Sequence, residues 1–147
     1  MSFVSLPDFA DKLNEIMPVL MREFARVQPK EIYKGLVTMP QVLILQYLNS
    51  QEIVKMTDIA NFMNVSTAAT TGIVDRLVKS GYVFRVFDQE DRRIIKIKIT
   101  PKGLALMKKL VHERRKMVIS IFSKISEQDR QDYLRILMRI RDVLSGE

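Results

Sequence analysis

The stretch "FDQEDRRIIKIKIT", Phe87 to Thr100, crowds acids against arginines and then alternates isoleucine with lysine. Arg92 and Arg93 follow Asp91 directly, and Lys96 and Lys98 come next. Upstream lie Arg85, the run Asp75-Arg76, Lys79, and the hydroxyl-rich "STAATT" from Ser66 to Thr71. These side chains suit anion recognition better than bond-making. Arginine offers a planar fork of donors that fits phosphate and a narrow minor groove, and lysine is a point charge for phosphate. Hydroxyls bond phosphates or base edges, and small residues let a helix approach closely. From Ser66 to Lys102 eight cations face four acids, a balance of +4 on about a quarter of the chain. Any one of these charges reads best as a solvated surface group. The set as a whole does not.

The whole chain leans the same way. It has 147 residues and a formal net charge of +7, with a sequence pI near 9.8. Such a balance favours an anionic partner, nucleic acid or an acidic membrane. An apolar content of 47% with five Gly and five Pro argues for a packed core, and against disorder or a turn-rich β fold. With no cysteine there is no disulfide, thiolate nucleophile or cysteine redox switch. His112 is the sole histidine, so a zinc site lacks its usual ligands and no metal is expected. No nucleophile–base pair, paired apolar carboxylates or phosphate-binding glycine loop is evident. No catalytic residue and no cofactor are therefore expected. "MSFVSLPDFADKL" lacks the layout of a signal peptide, and the apolar runs are too short to span a bilayer. A soluble, cytoplasmic protein without a membrane partner is the expectation.

The elements that must position these groups can be read from periodicity and caps. Ser5 with Asp8 predicts a capping box, and Phe9, Leu13, Ile16, Leu20, Phe24 and Val27 mark one helix face. Pro18 should kink or break that helix. "IYKGLV" is ambiguous, with a short helix stopped by Gly35 as one option. Thr38 and Gln41 open a helix lined by Val42, Leu45 and Leu48. Thr57 is the expected N-cap of "TDIANFMN", with Ile59, Ala60 and Met63 inward. Ser66 is the expected N-cap of "STAATTGIVDRLVKSGY", which Gly81 stops. "YVFRVF" and "RIIKIKIT" read as two strands, the second burying Ile95, Ile97 and Ile99 and exposing Lys96 and Lys98. Thr100-Pro101 starts a helix reaching about Ile125. Ser126 with Asp129 starts the last one, whose apolar face is Tyr133, Ile136, Leu137, Ile140, Val143 and Leu144.

In order, residues 38–100 give three helices and two strands, a helix-turn-helix followed by a hairpin wing. The order carries more weight than any single residue. The fold class is mainly α with a small β-hairpin wing.

"DRLVKSGYVFRVFDQEDRRIIKIKITPKG", Asp75 to Gly103, resembles the signature of the MarR family of bacterial transcription regulators. The matching features are Asp75-Arg76-Leu77, Gly81, Arg85 opening the wing, Asp91-Arg92-Arg93 at its far side, and Thr100 to Gly103 closing the alternating strand. The resemblance covers essentially the whole chain. It implies a winged helix-turn-helix with N- and C-terminal dimerisation helices, here 5–35 and 101–147, flanking a DNA-binding lobe, 38–100, in a single chain of 1–147. It further implies a homodimer on a pseudo-palindromic operator in double-stranded DNA. The recognition helix would enter the major groove with Ser66, Thr67, Ala68, Thr70, Thr71, Arg76 and Lys79. The wing would carry Arg85, Arg92, Arg93, Lys96 and Lys98 toward the flanking minor groove. An acid near the wing, Asp91 or Asp75, would hold Arg92 or Arg93. For Thr70, core packing is as good a reading as contact.

The chain departs from the family pattern at Ala68, Ala69 and Gly72, where longer or polar residues are common. Gly72 should cost the helix roughly 1 kcal/mol against Ala, which suggests close approach to DNA or to a neighbouring helix. Family members sense small aromatic or amphipathic compounds, or oxidants through cysteine. The absence of cysteine removes the second option. Tyr33, Phe24, Met39 and Phe62 are candidates to line an effector pocket, in competition with core roles. Asp88 and Glu90 would limit non-specific binding by repelling phosphates. The resemblance therefore points to a ligand-responsive repressor. The competing reading, a winged-helix module that binds protein, is disfavoured by the basic wing and the hydroxyl-rich helix tip.

Overall fold

A computed structural model describes residues 4–51 and 53–146, the side chains of Glu31 and Tyr33 apart. The described chain falls into two units, residues 1–111 and 112–147. Helix α1, Leu6–Arg26, starts where Ser5 accepts the Asp8 N–H at 3.3 Å. Pro18 does not break the helix, which is continuous through it. Proline removes the N–H that would reach Asn14, but both residues are exposed, so solvent can serve that carbonyl. No residue of α1 is buried.

A short helix α2, Lys30–Tyr33, ends before Gly35, whose φ of 71° makes the turn. Helix α3, Met39–Ser50, begins at a full capping box: Gln41 N–H donates to the Thr38 hydroxyl and Thr38 N–H to Gln41 Oε1. It buries Val42, Ile44, Leu45 and Leu48. Strand β1, Val54–Lys55, follows, then helix α4, Met56–Met63. The expected cap at Thr57 is displaced. Lys55 is the N-cap residue, and its N–H is taken by Asp58 at 2.8 Å. Asn64, with φ 52°, turns the chain out of α4.

Helix α5 is Thr67–Lys79, strand β2 Val83–Phe87 and strand β3 Ile95–Ile99. The sheet is antiparallel in the order β1-β3-β2. The hairpin thus carries a third strand that periodicity missed, because two residues display no period. Val54 pairs with Ile97, and Val83, Arg85 and Phe87 pair with Ile99, Ile97 and Ile95. Ile97 is buried in the core, whereas Ile95 and Ile99 are half-buried. One core joins α3, the sheet, α4, α5 and the start of the next helix through Ile44, Leu45, Ile59, Val74, Leu77, Val83, Ile97 and Met107. Each large side chain fully buried there stabilises the fold by roughly 1.5–3 kcal/mol as an upper estimate. That core is what holds α5 and the hairpin in register.

Helix α6, Pro101–Phe122, begins after Thr100, whose hydroxyl accepts the Gly103 N–H at 3.0 Å. Helix α7, Glu127–Ser145, is capped by Ser126, which accepts from Asp129 N–H at 3.1 Å. In the unit formed by residues 112–147, Phe122 packs on Tyr133, and the Arg130 guanidinium donates to the carbonyls of Phe122 and Ile125. Helix α7 buries no residue. No helix among the described residues is long and apolar enough to cross a membrane.

Candidate nucleic-acid interface

The tip of α5 is set by its cap. The Ser66 hydroxyl accepts the Ala69 N–H at 3.2 Å, leaving other first-turn N–H groups unbonded within the helix. Leu77 and Val74 anchor the inner face, and Gly81 at φ 76° ends the helix. There Tyr82 N–H reaches Leu77 O and Gly81 N–H reaches Val78 O, the double closure of a Schellman end. Ser66, Thr67, Ala68, Gly72, Asp75, Arg76 and Lys79 are exposed, and Thr71 is half-buried.

Thr70 leaves the candidate set. Its side chain is fully buried, and its hydroxyl donates to Ser66 O at 3.0 Å. The Thr71 hydroxyl likewise donates to Thr67 O at 2.9 Å. Gly72 has open space where a Cβ would stand, so no neighbouring helix approaches it among the described residues.

The wing is tied to this helix by one ion pair. Arg85 on β2 donates to Asp75 on α5, and the arginine side chain is the more buried of the two. The held base is therefore Arg85, in place of Arg92 or Arg93. Asp91 accepts the backbone N–H of Arg93 at 2.9 Å, and its own carbonyl takes the Ile94 N–H. It shapes the loop backbone and holds no guanidinium among the described residues.

Asp88 has a definite task. Its carboxylate pairs with Lys96 at 2.7 Å and accepts the N–H groups of Glu90 and Asp91. The lysine hydrogen bond first, then the two amides, hold its pKa down at about 2. Lys96 is therefore half-buried and engaged, a correction to its expected outward posture. Arg76, Lys79, Arg92, Arg93 and Lys98 are exposed, and none takes part in an ion pair among the described residues. Sequence reasoning missed Lys55 and Thr57. With Thr67, Thr71, Arg85 and Arg93 they border a cleft of about 280 Å³ between α4, α5 and the wing. The signal available for them was only their place at the start of α4.

The proposed pocket residues do not form one group. Met39 packs with Val37, Val42 and Leu110, while Phe62 stacks on Tyr47 at 4.3 Å. Phe24 is half-buried on α1, and the side chain of Tyr33 lies outside the described residues. Among the described residues no cluster of three or more His, Cys, Asp or Glu is placed to hold a metal.

The model of the MarR family matches residues 37–95, the stretch that runs from the start of α3 to the start of β3. The chain belongs to the MarR family of transcriptional regulators. The helix-turn-helix-type transcriptional regulator YfiV of Bacillus subtilis is 35% identical over 105 residues, 69% of this chain and 66% of YfiV. The transcriptional repressor YetL of the same organism is 25% identical over 143 residues, 97% of this chain and 80% of YetL. The crystal structure of a MepR-like protein complexed with pseudoligands is 27% identical, with a TM-score of 0.63 over 92% of this chain and 96% of that one. YfiV and YetL are both transcriptional regulators, and the match to the solved structure extends well beyond the residues that the family model matches.

Proposed function

We propose that the chain is a repressor acting as a homodimer on a pseudo-palindromic operator, with α5 in the major groove and the wing tip at the flanking minor groove. The observation that carries this reading is the surface shared by α5 and the wing. Asp75–Arg85 ties the two elements together, and the free cations Arg76, Lys79, Arg92, Arg93 and Lys98 lie on them. The exposed first turn of α5 adds N–H groups suited to a phosphate. Residues 38–100 form the DNA-binding lobe, and 5–35 with 101–147 the dimerisation helices. Supporting that division, Leu6, Phe9, Ile16 and Leu20 on α1 and Ile136, Leu137, Ile140 and Leu144 on α7 are all exposed. Apolar stripes of this length call for a covering surface, and a second copy supplies one. YetL is a repressor and the MepR-like structure holds pseudoligands. By analogy, repression here answers to a small aromatic or amphipathic effector that prefers one spacing of the two recognition helices. A protein with this role works in the cytoplasm.

Selection of bound sites from a random duplex pool tests the reading. Two inverted half-sites about one helical turn apart, roughly 34 Å between centres, are expected. Recovery of single, unpaired sites would defeat the dimer geometry, and no enrichment at all would favour a protein-binding module.

A further inference from the structure

Lys102 counts among the cations of the basic segment, yet its ammonium, at an exposed position, is engaged by the chain itself. Its Nζ donates to Ser80 O at 2.8 Å and sits 5.1 Å from the centroid of the Tyr82 ring. Ser80 is the C-cap of α5, where unsatisfied carbonyls concentrate partial negative charge. Around this contact the start of α6 is fastened to the end of α5. The Thr100 hydroxyl donates to Gly81 O at 2.6 Å, and Thr100 N–H donates to Tyr82 O at 3.0 Å. Gly103 closes the joint. A Cβ there would stand 2.2 Å from Tyr82 O and 2.8 Å from Ile99 Cγ1, so only glycine allows the approach.

We infer that Lys102 is a positioning residue for the recognition helix. It clamps the C-terminal end of α5 to the first turn of α6, so α5 takes its attitude from α6, and Lys102 is no phosphate contact. This assignment rests on the DNA-binding reading above. Its physical basis is that α5, packed along one face by Thr70, Val74 and Leu77, has its C-terminal end fixed by this joint, so loosening the joint lets the helix shift on that face and displaces its exposed tip. Thr67 and Ala68 lie at that tip, and Arg76 lies nearer the joint.

The test compares the full-length protein with Lys102→Met, Lys102→Arg and Thr100→Val. Each is titrated with the selected operator and with a random duplex across a salt series, after thermal melts establish that it is folded. Lys102→Met should weaken operator binding about five- to tenfold. Its random-duplex affinity and both salt slopes should stay as in the wild type. Lys102→Arg, which keeps a donor, should restore operator binding. Thr100→Val, which changes no charge, should reproduce the operator-only loss. A salt slope reduced by about 0.9 on both duplexes would identify Lys102 as a phosphate contact and overturn the proposal. Unaltered operator binding in both Lys102→Met and Thr100→Val would overturn it too. Failure of the wild type to bind any duplex would instead strike down the underlying DNA-binding reading.

Discussion

Asp88 shows how a single carboxylate organises a loop. Its folded pKa of about 2 lies below the ordinary value of 3.8, so the charged form is the one the loop favours. The contribution to wing order is therefore complete above about pH 4 and is lost as pH falls through about 2. The protection factors of the Glu90 and Asp91 amides, taken against the intrinsic exchange rate at each pH, should fall across that window, and flat protection through it would contradict the assignment. The pairing also alters what neutralisation does. Asp88→Asn should free Lys96, raise affinity for random duplex and steepen its salt slope by up to about 0.9. Arg92→Ala with Arg93→Ala should act oppositely, weakening binding to all duplexes and flattening the slope. An unchanged slope would remove both arginines from the contact set. Composition and spacing located these charges correctly in the chain. They did not assign partners, because Asp88–Lys96 and Asp75–Arg85 are pairings set by strand register and helix packing. Thr70 was ambiguous for a related reason, since a threonine one turn into a helix serves the core or the surface depending on a rotation that only packing fixes.

The legible elements were those with caps and long periods. Ser5, Thr38, Ser66 and Ser126 each accept the N–H three residues on, as their spacing implies. The β2–β3 hairpin followed from the Ile–Lys alternation. What escaped was short or context-dependent. Strand β1 exists because Val54 meets Ile97 across the sheet, a contact with no local signature. Helix α4 starts before Thr57 because Asp58 reaches back to Lys55, so an acid at the third helical position outcompeted a hydroxyl at the second. Gly72 is the element-scale test. It occupies a helix interior with open space beside it, and Ala there should raise stability by roughly 1 kcal/mol, read as a shifted denaturant midpoint at constant slope. Operator affinity should fall in the same variant, since a methyl would intervene where the backbone approaches DNA. Equal or tighter operator binding would show that the glycine has no part in recognition.

At the scale of the molecule, the apolar faces of α1 and α7 make the chain's isolated state improbable on physical grounds. Leu137 and Ile140 are 42% and 48% exposed, one helical face of a stripe that water solvates poorly. Sedimentation should report a dimer at micromolar concentration. Leu137→Glu with Ile140→Glu should shift it to monomer and cut operator binding more than a hundredfold, about 2.7 kcal/mol or more, because one half-site loses its tethered partner. A dimer that survives both changes would place the interface elsewhere. The wing tip has a different kind of independence. Its loop closes on itself: Asp88 N–H bonds Ile94 O, Ile94 N–H bonds Asp91 O, and the Asp88 carboxylate gathers the amides between them. No core side chain is needed to hold that shape. Replacing Arg92 and Arg93 should therefore cost folding little, so that the proposed grip on a duplex can be retuned at the loop while the helices beneath it stay as they are.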